Sequence, residues 1–450
     1  MASGKKPGRS DLRSVAAEWN RIGREFSASQ AAQLKLHYDG EALSDGEPAD
    51  DPRPLALAKR VLREVRRLNA EGRWRDAREL FDPAHEPFIP LLEKHGQELP
   101  FAVILGGDEF LVRQGRRGDM LRIIGDRIET LAGVGACAIS RDRASLLLVR
   151  EDGLTTSRGL GGDRIAHFPW PEETTRAAES VALSDDGRRV AFANENDGVW
   201  VGTARAKGVV WTRVHPDEAT SSELKENSDD DDFDDEGGDD DSWYDDMAHC
   251  ALSPDGRFVA YGSQSHGHFI DELASDGASR RWAMLGHHSE YPHNACFSDD
   301  GRYAALNSCH FYGGVTLGVA LESVEAAATP PWEEDPRVAK LDDNLRVYAS
   351  TWLPQDVIKV APGAFALCGL GLLTCVTPDG KVVFGQMFGS SASAVDYCPK
   401  TRRMIVASCS GFLHVYDVDA LEQPDRMVGF NARRELYRWV LWKDHEPFRW

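Results

Sequence analysis

The sequence predicts a mainly β chain with a helical N-terminal region. Three observations carry this. Residues 1–100 place apolar side chains at helical spacing, and residues 101–450 are short apolar runs separated by Gly-Asp turns. A unit of apolar strand, tight polar turn and second apolar strand then recurs along the chain. Its 450 residues are 42% hydrophobic and 9% aromatic, enough to bury a sizeable core.

The first expected helix runs Leu12 to Phe26, with Leu12, Val15, Ala16, Trp19, Ile22 and Phe26 on one face. Asp39 to Pro54 is rich in Gly, Asp and Pro and reads as a loop. Pro54 to Leu68 is the second helix, with Lys59, Arg60, Arg63, Arg66 and Arg67 mostly opposite its apolar stripe. Trp74 to Phe81 is a third, ended by Pro83, and Leu91 to His95 a short fourth.

Beyond Pro100, Phe101–Ile104, Phe110–Val112 and Leu121–Ile124 are the first strands. The recurring unit follows. Val181-Ala-Leu-Ser184-Asp-Asp-Gly187, Cys250-Ala-Leu-Ser253-Pro-Asp-Gly256 and Ala295-Cys-Phe-Ser298-Asp-Asp-Gly301 each precede a second apolar strand. Related units centre on Ser140, Thr377 and Cys398. Asp-Gly suits a hairpin because glycine accepts positive φ cheaply. Ser140 to Ser184 is 44 residues and Ser253 to Ser298 is 45, the period of propeller blades.

On these motifs the chain resembles the WD-repeat-like bacterial β-propellers. Ser253-Pro-Asp-Gly256 matches their first turn, Gly286-His287 their Gly-His pair, and Tyr416-Asp417 stands where Trp-Asp ends a blade strand. The resemblance covers residues 101–450 and implies a seven-bladed β-propeller, with six to eight blades as the range. Six units are recognisable. The expectation for the seventh is that Phe101–Gly125 supplies three strands and Glu435–Trp442 the fourth, joining the two ends. The fold implies no single function.

Formal charge is −21, from 52 Lys+Arg against 73 Asp+Glu, which argues against direct nucleic-acid binding and adhesion to an anionic membrane. No apolar stretch is long enough to cross a membrane, and the charged N-terminal residues do not read as a secretory signal. The eight cysteines form no Cys-x-x-Cys pair and read as reduced, buried thiols of a cytoplasmic protein.

Residues 222–247 form an acidic insert, expected to be disordered when free. Residues 229–246 hold 12 acidic and no basic side chains, and without them the net charge would be −9. As a solvated loop the insert only solubilises. As a docking strip it engages a basic protein partner, with Asp239, Asp240, Asp241, Asp245 and Asp246 supplying charge beside Phe233, Trp243 and Tyr244. Neither Asp230 nor Asp232 starts an EF-hand loop with Gly sixth and Glu twelfth.

Seven of the 14 histidines fall between His249 and His310. His266, His268, His287 and His288 are metal-ligand candidates, with Asp271 or Glu290 as companions. Known axial sites draw ligands from all round a propeller, whereas these lie on one side. His249 and His293 precede equivalent strands, which points to a structural role. No nucleophile elbow, phosphate-binding loop or His-Glu-x-x-His motif occurs.

The leading expectation is a non-enzymatic, protein-binding propeller without cofactor. Its alternatives are an immunity or inhibitor protein that neutralises a cationic toxin or nuclease by nucleic-acid mimicry, a metal-dependent propeller hydrolase using the histidine cluster, and a plain scaffold.

Overall fold

The computed structural model describes residues 9–38, 50–215, 247–264, 267–286, 289–311, 313–330 and 332–450. Four α-helices come first: α1 (Arg9–Tyr38), α2 (Leu55–Ala70), α3 (Trp74–Leu80) and α4 (Ile89–His95). Helix α1 runs 12 residues beyond the expected Phe26. Its extension buries Ser27 and Gln30, polar residues that leave no apolar period to read. Tyr38, at its end, reaches the Thr374 hydroxyl at 2.5 Å. Of the anticipated stripe, helix α2 buries Ala58, Val61, Leu62, Val65 and Leu68, while Leu55 and Leu57 are half-buried.

The remainder is mainly β, in consecutive antiparallel sheets whose strands follow chain order. Sheets one to three span 102–131, 136–168 and 180–215, each with four strands. The fourth spans 250–285 and gains Ala327–Ala328 as a parallel edge. The fifth comprises 291–320 with Ala339–Asp342. Strand Val382–Cys398 is shared: its first part pairs in the sixth sheet, which begins at Ala349, and its second part opens the seventh.

The recurring turn works locally. Ser253 Oγ accepts the Phe258 N–H at 2.8 Å and donates to Asp255 at 2.6 Å. Asp255 in turn accepts the Arg257 N–H at 2.9 Å, and Gly256 takes φ +69°. Ser184 and Ser298 repeat the pattern with Arg189 and Tyr303 as donors at 3.0 Å. At Ser140 the glycine position holds Arg143, at φ +61°.

Two expectations about the sheets need correction. The first sheet takes its fourth strand from the segment that directly follows its third, Arg127–Leu131, across a turn with Gly125 at φ +56°. Arg433–Val440 instead pairs with Phe412–Leu421 in the seventh sheet. A hairpin with a two-residue loop, Gly125-Asp126, closes at far lower entropic cost than a link between distant segments. Arg127–Leu131 is largely exposed, so no apolar run marks it. The Thr377 turn also differs: it joins the third and fourth strands of the sixth sheet. The first two strands of that sheet are joined through the short helix Gln355–Ile358.

Neighbouring sheets touch through their first strands, from Ala102–Gly106 with Ala136–Ile139 through to Tyr291–Phe297 with Ala349–Pro354. Val382–Cys398 contacts both Ala349–Pro354 and Ala102–Gly106. Two arginines of the second sheet's first turn reach far. The Arg143 guanidinium grips Asp396 of the seventh sheet with two bonds of 2.6 and 2.8 Å. Asp396 also accepts the Ile104 N–H of the first sheet at 2.8 Å. Arg141 donates to Phe297 O of the fifth sheet at 2.9 Å and to Thr351 of the sixth at 3.3 Å.

The helices share one core with the C-terminal segment. Val15, Trp19, Val61, Val65, Phe81 and Phe88 pack with Phe412, Trp442, Phe448 and Trp450. The Trp450 indole donates to Phe81 O at 2.9 Å, and Trp19 to Asp82 O at 2.7 Å. Asn69 brackets Arg449, donating to its carbonyl at 2.7 Å and accepting its N–H at 2.8 Å. No disulfide joins any of the eight cysteines; seven are buried and Cys409 is exposed, contrary to the expectation for it. No described helix is long and apolar enough to cross a membrane.

Candidate functional site

Every residue of the expected partner-binding set (Phe233, Asp239, Asp240, Asp241, Trp243, Tyr244, Asp245 and Asp246) lies outside the described residues, as do His266, His287 and His288. What the structure describes is how the two flanks of the acidic segment are held. On one side His215 ends the third sheet fully buried, its ring 5.9 Å from Phe269 and 5.6 Å from Tyr261. The Tyr261 hydroxyl donates to Val214 O at 2.9 Å. On the other side Met247 takes φ +65° and its sulfur accepts from Arg346 at 3.5 Å.

Arg346 organises the surface around that second flank. Its guanidinium lies 5.0 Å from the Tyr348 ring and donates to Phe311 O at 2.7 Å. Phe311 itself is 71% exposed at the tip of a strand turn, a large apolar side chain offered to solvent. Beside it, His310 pairs with Glu290 at 2.7 Å and its ring stacks 5.9 Å from Tyr291. The patch therefore presents an aromatic ring, a guanidinium and an imidazole–carboxylate pair where the acidic segment rejoins the fold.

Two histidines lie beneath this surface in matching positions. His249 Nδ1 sits 3.3 Å from Met247 O, and His293 Nδ1 sits 3.1 Å from Tyr291 O, in each case the carbonyl two residues earlier. Burial pushes His249 down to about 4. Burial, then the His249 charge, pushes His293 down to about 3. Both rings are neutral near pH 7 and serve as strand-entry braces, in keeping with their matching places in the repeat.

His268 is fully buried within the fourth sheet. Asp271, its suggested companion, is committed to Arg281 at 2.5 Å and to the Tyr261 hydroxyl at 3.0 Å. Glu290 is committed to His310. Among the described residues no group of three or more His, Cys, Asp or Glu side chains is arranged to hold a metal.

Sequence reading missed Phe311 and Arg346. Arg346 closes the irregular stretch from Pro330, and its partners Met247 and Phe311 lie 99 and 35 residues away, so no local pattern marks it. No family model matches the chain, and no curated protein matches it in sequence.

Proposed function

We propose that the seven sheets close into a seven-bladed β-propeller that acts as a non-enzymatic binding platform for a basic protein partner. The ring reading is supported by the contacts between successive first strands, which include one between Val382–Cys398 and Ala102–Gly106. It is supported further by one turn, Arg141–Arg143, bonding to the first, fifth, sixth and seventh sheets. Such bonds require those sheets to converge.

The binding reading rests on one observation. Twelve acidic side chains and three aromatics occupy residues 229–246, between flanks that the fold anchors at His215 and Met247. A dense anionic strip accelerates encounter with a cationic surface, and aromatic anchors then slow release. Phe311, beside the second flank, extends the apolar part of the contact.

The test replaces residues 228–247 with a neutral Gly-Ser linker and compares partner capture from the native cell at low and high salt. One basic partner, lost with the replacement and weakened by salt, is the expected result. A partner set indifferent to both changes refutes the reading.

A further inference from the structure

The acidic chain carries a basic groove of about 1160 Å³. One wall is helix α2, and the other is the C-terminal segment with the turn at Asp126. Lys59, Arg63 and Arg66 stand on the wall at spacings of four and three residues, so they share one helix face. All three are exposed, and no described carboxylate lies within ion-pair distance of them. Arg67, next in the row, is instead neutralised by Glu64 at 2.9 Å and Glu71 at 2.6 Å.

The floor is aromatic. Trp74, Trp439, Trp442 and Phe448 line it, and the buried Arg449 guanidinium stacks 4.3 Å from Trp74 and 4.9 Å from Trp439. Asp126 pairs with Arg449, so that cation is already compensated. His95 and His445 line the same groove with rings 4.5 Å apart. Burial, then the Arg66 and His95 charges, disfavours protonation of His445. Five Lys or Arg side chains line the groove against two carboxylates, Asp126 and Glu446, within a chain of net charge −21.

Three unneutralised cations in a row beside an aromatic floor select the ligand chemistry. Seven residues of helix span about 10 Å, the length of three extended peptide residues. That matches a short run of carboxylates followed by an aromatic side chain, which can reach the half-buried Trp74, the one groove tryptophan with an open edge, since Trp439 and Trp442 are buried. A nucleic acid carries its charge well beyond such a footprint and would meet the repulsion of the acidic remainder. We infer that the groove between α2 and the C-terminal segment is a second docking site, which binds an acidic, aromatic-bearing peptide segment of another chain. This goes beyond the basic partner proposed above and does not depend on it.

The test measures fluorescence anisotropy of a labelled peptide with the sequence of residues 228–247, which has the required chemistry, added to the full chain at low salt. The comparison is the triple variant Lys59→Gln, Arg63→Gln, Arg66→Gln. Glutamine keeps helix propensity at these exposed positions, so folding is retained, as circular dichroism checks. Binding that weakens at least tenfold in the variant, and with a peptide whose aspartates are changed to asparagine, is expected. Equal binding to the variant, no binding by the intact chain, or tighter binding of a single-stranded oligonucleotide of equal charge overturns the inference. Failure of the linker replacement to alter partner capture bears only on the earlier reading.

Discussion

Changing Asp396 to Ala probes the joint where the two ends of the β region meet. The carboxylate accepts two bonds from Arg143 and one from the Ile104 N–H, at 2.6 to 2.8 Å. The Arg143 side chain is 1% exposed, so removing Asp396 leaves a guanidinium with almost no access to water. Breaking a buried pair from one side costs about 3–5 kcal/mol, most of it from the stranded charge. The orphaned Ile104 N–H adds about 1 kcal/mol. A total of about 4–6 kcal/mol exceeds a quarter of the stability of a typical domain. Urea unfolding followed by tryptophan fluorescence measures it as a shift in midpoint at unchanged slope. The double variant Asp396→Leu, Arg143→Met removes both charges and is expected to recover most of the loss. A loss below about 1 kcal/mol in Asp396→Ala would refute the claim that this pair holds the seventh, first and second sheets together.

Other outcomes follow from the same geometry. Ser253→Ala strands the buried Phe258 N–H, which Ser253 Oγ accepts at 2.8 Å, and should cost about 1–3 kcal/mol in the same urea assay; a cost near zero would show the turn to be held by other bonds. Acid should destabilise the chain well above the carboxylate range. Burial holds His249 at about 4, and His293 and His85 at about 3, against about 6.5 in the unfolded chain. Because the unfolded state takes up these protons first, stability is complete above pH 6.5. It falls by about 1.4 kcal/mol per pH unit for each histidine as pH drops toward 4. Desolvation raises the Asp185 and Asp299 carboxyls, which act in the opposite sense and lessen the net slope. Urea midpoints at pH 7.5, 6 and 5 that do not fall would contradict this.

The acidic segment and the cationic row of α2 were legible in the sequence because each depends on the order of its own residues. The patch of Phe311, Arg346 and Met247 was not, since its three residues come from three separate connections. The histidine cluster was legible only as a concentration in the chain. It took the hydrogen bonds of His249 and His293 to the carbonyls two residues earlier to give those two a role.

What the sequence determined by itself was everything set within a few residues. The Ser-x-Asp-Gly turns close through bonds spanning five residues or fewer, so they stand where their letters occur. Helix α2 follows from its apolar stripe for the same reason. Tertiary structure alone decided which strands complete which sheet, as with Arg127–Leu131 and Arg433–Val440. It also decided that a helix, not the repeated turn, joins the sixth sheet's first strands, and that Asp396 meets Arg143 across 253 residues. These outcomes depend on competition between distant partners for one buried place. That competition is settled by loop entropy and by the cost of burying an unpaired group, neither of which any short window of sequence displays.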